Sequence, residues 1–127
     1  MAHDVQHAAD VRNDIADAVL AQIDAGAGAA IIVLQDAASP PNEVATLTCS
    51  DPAGTVSAAD LTFSSITDDT SATGGTATQG KVTDSDSNTC LTFTVGIGST
   101  FDLDMDNNVI GAGATVSITS FVYTAPV

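Results

Sequence analysis

The segment Leu91-Thr92-Phe93-Thr94-Val95 alternates apolar residues with threonines. A period of two places the apolar side chains on one face of a β-strand and the polar side chains on the other. Threonine and β-branched residues pack well on a pleated surface, and sheets with one polar face are typical of antiparallel proteins. The segment therefore predicts a half-buried strand in an antiparallel sheet.

The same alternation recurs along the chain after residue 28. It predicts strands at Ala30–Gln35, Glu43–Cys49, Leu61–Ser64 and Val116–Thr119. Clusters of Ser, Pro, Asn, Asp and Gly separate these runs, as expected for turns. About six to eight short strands at this spacing indicate a β-sandwich or a jelly roll.

Before residue 28 the apolar residues follow the period of an amphipathic helix. Four of them lie four positions apart: Val11, Ile15, Val19 and Ile23. This spacing predicts a helix from about Ala8 to Ala25, ended by Gly26 and Gly28. We therefore predict a mainly β protein with an N-terminal helical segment, residues 1–27, and an antiparallel β-sandwich domain, residues 28–127.

The charge of the chain excludes several classes of function. Its 127 residues contain 2 Lys and Arg against 16 Asp and Glu, for a formal charge of −14. Nucleic acids and anionic membranes are bound through clustered Lys and Arg, so we expect neither as a partner. Val, Ile, Leu and Phe make up about a quarter of the chain, which favours a folded domain over an acidic disordered tail.

The start of the chain bears on where it is made. Residues 1–7 are polar and lack the basic start and apolar stretch of a secretory signal. No run approaches the roughly 20 apolar residues that span a bilayer. We therefore expect synthesis in a cytoplasm.

Two acidic motifs are candidate cation sites. Asp84-x-Asp86-x-Asn88 matches the first half of a calcium-binding loop, but it lacks the later glycine and glutamate. A turn between strands uses the same residue types for local hydrogen bonds. Asp102-x-Asp104-x-Asp106 predicts either a solvated strand face or a divalent cation site. Calcium is the cofactor that these motifs allow, and neither motif requires it.

The remaining polar candidates are few. His3 and His7 could bind a metal if a helix began that early, and solvated side chains near an N-terminus are the alternative. Cys49 and Cys90 lack zinc-site spacing, which leaves buried thiols or a disulfide within or between copies. No Ser-His-Asp or Cys-His set and no phosphate-binding glycine loop is present, so we predict a protein without enzymatic activity.

Two surfaces are candidates for contacts with another chain. Arg12 lies beside Ile15 and Val19 on the predicted helix, where pairing with a neighbouring aspartate is its simplest role. In the last predicted strand, Phe121 and Tyr123 fall on the face opposite the core residues. Aromatic residues there indicate either a β-bulge that resets the register or a surface that contacts a partner. With no Trp, one Tyr and four Phe for the core, we expect a homo-oligomer.

The order of several segments resembles a family of small virion proteins of tailed bacteriophages, typically encoded among head genes. The matching segments are Arg12-Asn13-x-Ile15-Ala16-Asp17-Ala18-Val19, Gln22–Ala29, Val44–Ala53, Ala72–Ala77, Asp84-Ser85-Asp86 and Gly113–Phe121. Around the Asp-Ser-Asp turn the chain departs from the family. It has Gln79 and Lys81 where an aromatic residue and an arginine are frequent, and Ser87-Asn88 where a glycine often follows.

The resemblance implies a structural part of the virion. We expect a decoration or cement protein at the capsid surface, bound to the major capsid protein through the helix or through the Phe121 and Tyr123 face. A tail, neck or fibre-base component and a calcium-binding adhesion module are the alternatives.

Overall fold

The computed structural model describes residues 5–98 and 100–126. Within these ranges the chain forms one helix and ten strands. They are α1 (Ala9–Ile23), β1 (Ile31–Gln35), β2 (Glu43–Thr48), β3 (Gly54–Ser57), β4 (Asp60–Phe63), β5 (Gly75–Thr76), β6 (Gln79–Thr83), β7 (Thr89–Ile97), β8 (Leu103–Met105), β9 (Val109–Ile110) and β10 (Val122–Thr124). The predicted fold class, mainly β with one N-terminal helix, is confirmed.

The strands form two main sheets and a short ribbon. The five-stranded sheet has the order β2-β1-β6-β7-β8, the three-stranded sheet has the order β10-β4-β3, and β5 pairs with β9. Their apolar faces enclose one core, whose largest fully buried side chains are Ile23, Ile32, Leu34, Leu47, Leu61, Val44, Val82 and Val95. Because Ile23 belongs to α1, the predicted helical segment and the predicted sandwich share this core.

One pair of strands departs from the antiparallel prediction. β7 and β8 run parallel, with Val95 opposite Leu103. Just before β8, Asp102 is bonded to β7: its N–H donates to the Thr94 hydroxyl, and its carboxylate accepts the Thr94 N–H. A short apolar alternation specifies which face of a strand is buried but not the direction of its neighbour, so the sequence carried no signal for this pairing.

The predicted strand at Val116–Thr119 is only half correct. Val116 and Ile118 are buried and the residues between and after them are exposed, as the alternation indicates. This stretch forms no ladder, because only Val116 makes a backbone bridge, to Asp69. The alternation therefore predicted correctly which residues are buried, but it was wrong in predicting a paired strand.

The helix lies across the end of the three-stranded sheet. It buries Ala16 and Ile23, half-buries Ile15 and Val19, and leaves Val11 exposed. At its first half a small cluster forms from Ala16, Ala59 and Ala125, where small side chains allow close approach of the helix to the turn between β3 and β4. In the described ranges, no helix combines the length and apolar character needed to cross a membrane.

Candidate interaction surface

Two side chains in the first half of α1 form hydrogen bonds with the backbone of the β-sheet domain. The Arg12 guanidinium donates from Nη2 and Nε to the Ala125 carbonyl, at 2.9 and 3.3 Å, and the Asn13 side-chain oxygen accepts the Ala59 N–H. Arg12 therefore joins the start of the chain to its end, instead of pairing with a neighbouring aspartate as predicted. With Ile15 packed inward as well, this face of the helix is less accessible to another chain than the sequence pattern predicts.

Replacing Arg12 by Met should lower the free energy of unfolding by about 1–2 kcal/mol. The substitution keeps the apolar stem but leaves the carbonyl of the buried Ala125 without its donor. Urea unfolding followed by circular dichroism measures the change. Asp17→Asn, at an exposed position of the same helix, is the control and should change stability by less than about 0.5 kcal/mol. Equal stability of the two variants would contradict the prediction.

Phe121 is part of the core rather than of an outer face. It is 8% exposed, and its ring lies 4.9 Å from the ring of Phe63 and 5.0 Å from that of Phe93, measured between centroids. The sequence left two alternatives open for Phe121, a reset of the register and a surface that contacts a partner, and its burial agrees with the reset. Thr119 and Ser120 are both exposed, which shifts the alternation by one residue before β10. Tyr123 is half-buried and packs against the alanine cluster beneath α1.

The Asp84–Asn88 turn is held by its own hydrogen bonds. Asp84 is buried, and its carboxylate accepts the N–H groups of Asp86 and Asn88, each at 2.9 Å, and the Asn88 side-chain amide at 3.0 Å. The Asn88 N–H makes the largest contribution to lowering the pKa of Asp84. Both carboxylate oxygens thus serve the turn. Nor do residues 5–98 and 100–126 contain a group of three or more His, Cys, Asp or Glu placed to hold a metal ion.

Replacing Asp84 by Asn should make stability less dependent on pH between about pH 5 and 3. Since folding lowers the pKa of Asp84, its stabilising effect is present above the unfolded value of about 3.9 and is lost as pH falls through the folded value. The advantage of the wild type over Asp84→Asn in urea midpoint should therefore shrink on acidification. Asp86→Asn is the control, because that carboxylate accepts none of the bonds above. A constant difference between wild type and Asp84→Asn would contradict the assignment.

The other polar candidates in the described ranges are exposed. Asp102, Asp104 and Asp106 are exposed while Leu103 is buried, as predicted for a strand with a solvated face. His7 is exposed and precedes the helix, and the predicted partner at position 3 lies outside the described residues.

The two cysteines are free thiols. Cys49 is buried and Cys90 is half-buried. Burial, followed by the nearby charge of Asp24, raises the pKa of Cys49 to about 11. Burial also raises the pKa of Cys90. Both thiols are thus protonated at neutral pH, which suits packing rather than nucleophilic chemistry.

One edge of the five-stranded sheet is covered by an irregular segment, residues 67–74. Three backbone N–H groups form hydrogen bonds between it and β2: Thr67 N–H to the Thr48 carbonyl at 2.8 Å, Thr46 N–H to the Asp69 carboxylate at 2.8 Å, and Gly74 N–H to the Val44 carbonyl at 3.1 Å. The Thr73 hydroxyl also donates to the Glu43 carboxylate, at 2.9 Å. An edge covered in this way cannot pair with another strand. Sequence reasoning missed this segment, because it has no periodic apolar pattern.

Two other strand edges are open and face each other. On either side of β10, the Phe121 carbonyl accepts the Phe63 N–H and the Ala125 N–H donates to the Ala59 carbonyl. The alternate residues Val122 and Thr124 therefore direct their backbone groups away from β4. In β7 the Val95 N–H bonds toward β6, so the backbone of Thr92 points away from β6, before the ladder with β8 begins. Within the described chain these outward groups have no backbone partner.

A groove of about 310 Å³ lies between these edges. Its lining residues are Leu91, Thr92, Phe93, Asp102, Phe121, Val122, Tyr123 and Thr124. The contacting rings of Phe93 and Phe121 lie at this boundary between the sheets. Asp102 is the sole charged residue among the lining side chains of this described groove. The groove thus combines unpaired backbone groups, an apolar base and a negative charge.

We compared the chain with protein-family models, with curated proteins and with solved structures, and none of these comparisons found a match.

Proposed function

We propose that this chain is a structural protein of a tailed-bacteriophage virion, which decorates the head by binding the major capsid protein and catalyses no reaction. The six segments that resemble small virion proteins, in the same order along the chain, are the observation that carries the proposal. The fold is compatible with it, because a small β domain with exposed strand edges is suited to protein–protein contacts.

Charge and repetition support such a role. A net charge of −14 keeps free copies apart and favours basic patches on a partner. A shell presents many identical sites in fixed geometry, so weak contacts add up. Copies that bind the assembled lattice and not its dissociated subunits stabilise the lattice by mass action.

The test is to determine whether virus particles carry the chain and where. Particles of the virus that encodes it should be purified on a gradient, analysed by mass spectrometry and reconstructed by electron cryo-microscopy. We expect many copies on the outer surface of the head, and heads stripped of the chain should dissociate at a lower temperature. A position along the tail, or particles without the chain, would contradict the proposal.

Deletion of the helix would not be a suitable variant for this test. Ile23 is fully buried in the shared core and Arg12 holds the end of the chain, so a protein without residues 1–25 would lose its fold along with any contact surface. Surface substitutions that leave the core intact are required instead.

A further inference from the structure

We propose that the groove between β7 and β10 binds an extended, basic segment of another protein, which pairs as an added β-strand. The inference rests on the proposed function only for the identity of that partner, the shell protein. The site itself is defined by the open backbone edges of Thr92 on one side and of Val122 and Thr124 on the other.

The hydrogen-bonding pattern indicates a strand as the occupant. Neighbouring strands lie about 4.8 Å apart, and an added strand satisfies backbone groups on an open edge through its own N–H and C=O groups. A strand in the groove would bond to β7 on one side and to β10 on the other. It would thereby join the five-stranded and three-stranded sheets across the Phe93 and Phe121 rings.

The side chains around the groove indicate what such a strand carries. Val122 is 46% exposed, and Leu91 and Tyr123 are half-buried, so apolar side chains at alternate positions would gain contacts. Asp102 lines the groove, and Asp60 lies beside it, accepting a hydrogen bond from the Thr124 hydroxyl at 2.7 Å. These carboxylates favour Lys or Arg at the intervening positions.

The net charge of the chain also indicates whether a different protein or a second copy of this chain would fill the groove. Two copies with a formal charge of −14 each repel one another, whereas a basic segment is attracted to the same surface. Screening by salt reduces both effects, so binding of a basic strand should weaken as ionic strength rises. The partner expected from the charges is therefore a basic chain other than this one.

The first experiment measures peptide binding to the full chain by fluorescence anisotropy. The probe is a labelled peptide of about nine residues that alternates Val and Lys, a length typical of a long strand. The comparison peptides replace each Lys by Glu, or place Pro at the centre to remove an N–H donor. We expect binding of the Val-Lys peptide only, with at least about tenfold weaker binding of the other two.

Variants of the groove locate the binding site. Val122→Pro removes an outward N–H from the open edge without removing a bond to β4, and should weaken binding about tenfold or more. Val122→Thr, which keeps the N–H and the β-branched shape, is the matched control and should bind like the wild type. Asp102→Asn keeps an oxygen to accept the Thr94 N–H but removes the charge, and should weaken binding severalfold at low salt.

Several results would overturn the inference. Equal binding of the Val-Lys and Val-Glu peptides would exclude a basic partner, and dimerisation that Val122→Pro abolishes would show that a second copy fills the groove. Circular dichroism checks folding of each variant. If Val122→Pro does not fold, Asp102→Asn decides, because unchanged peptide affinity in that variant would refute the site.

Binding to stripped particles separates this inference from the proposed function. Wild type and Val122→Thr should bind the particles, and Val122→Pro should not. If all three bind equally, the groove is not the contact and the decoration role stands. If the wild type fails to bind particles but still binds the Val-Lys peptide, the decoration role is wrong and the groove stands.

Discussion

Replacing Phe121 by Ala should lower the free energy of unfolding by about 3–5 kcal/mol, the largest loss that we expect from one side chain in this protein. The Phe121 ring contacts Phe63 of the three-stranded sheet and Phe93 of the five-stranded sheet, so it fills the space where the two sheets meet. Removing it leaves a cavity and ends both aromatic contacts. Small domains are stable by only about 5–15 kcal/mol, so the variant should be close to unfolding.

Urea denaturation and thermal melting followed by circular dichroism measure this loss, and the melting temperature should fall by about 10 °C or more. Val122→Ala is the matched control, because Val122 is the neighbour of Phe121 in the chain and is 46% exposed. This substitution should change the free energy of unfolding by less than about 0.5 kcal/mol. If Phe121→Ala does not yield folded protein, Phe121→Leu should still be less stable than Val122→Ala. A Phe121→Leu variant as stable as the control would refute the buried position of Phe121.

Replacing Gly54 by Ala should destabilise the protein by about 3 kcal/mol, at the upper end of the range for overpacked sites. Gly54 is buried at the start of β3, directly opposite Phe63 of β4. A Cβ at this position would overlap the Thr62 carbonyl oxygen and would lie 2.9 Å from the Phe63 Cα. These neighbours are backbone atoms in a hydrogen-bonded ladder, so relief requires the strands to separate.

Gly111→Ala is the matched control for this substitution. No atom lies within 4 Å of a Cβ built at Gly111. The same chemical change should therefore be neutral there or should stabilise the protein slightly, by restricting the unfolded chain. Denaturant midpoints of the two variants measure the difference. Similar effects at both positions would contradict the close packing of β3 on β4.

Periodicity predicted the helix and four of the ten strands found in the described residues. Each of these elements buries one face. This burial produces the four-residue spacing of apolar residues in α1 and the alternation in β1, β2, β4 and β7. Because the pattern repeats within a few residues, it can be recognised in a short window of sequence. The end of the helix was predicted to within two residues: α1 ends at Ile23, and Gly26, three residues later, adopts a φ of +93° that residues with a Cβ rarely adopt.

The features that were missed depend on distant parts of the chain. The sequence left open whether the register shifts before Phe121, because two exposed residues in an irregular stretch follow no period. Arg12 bonds to a backbone carbonyl 113 positions away, and a carbonyl has no signature in the sequence. The open edges of β7 and β10 depend on strand order, which the alternation of each strand leaves undetermined.

The segment that covers β2, residues 67–74, also limits how far the five-stranded sheet can be extended by added strands. A sheet with two free margins can add subunits in both directions and extend into fibrils, a hazard for any concentrated β protein. Here residues 67–74 close that margin of the five-stranded sheet. Strand addition at β2 is thereby excluded, and because the proposed segment lies between β7 and β10, titrations should reach a stoichiometry of one segment per molecule.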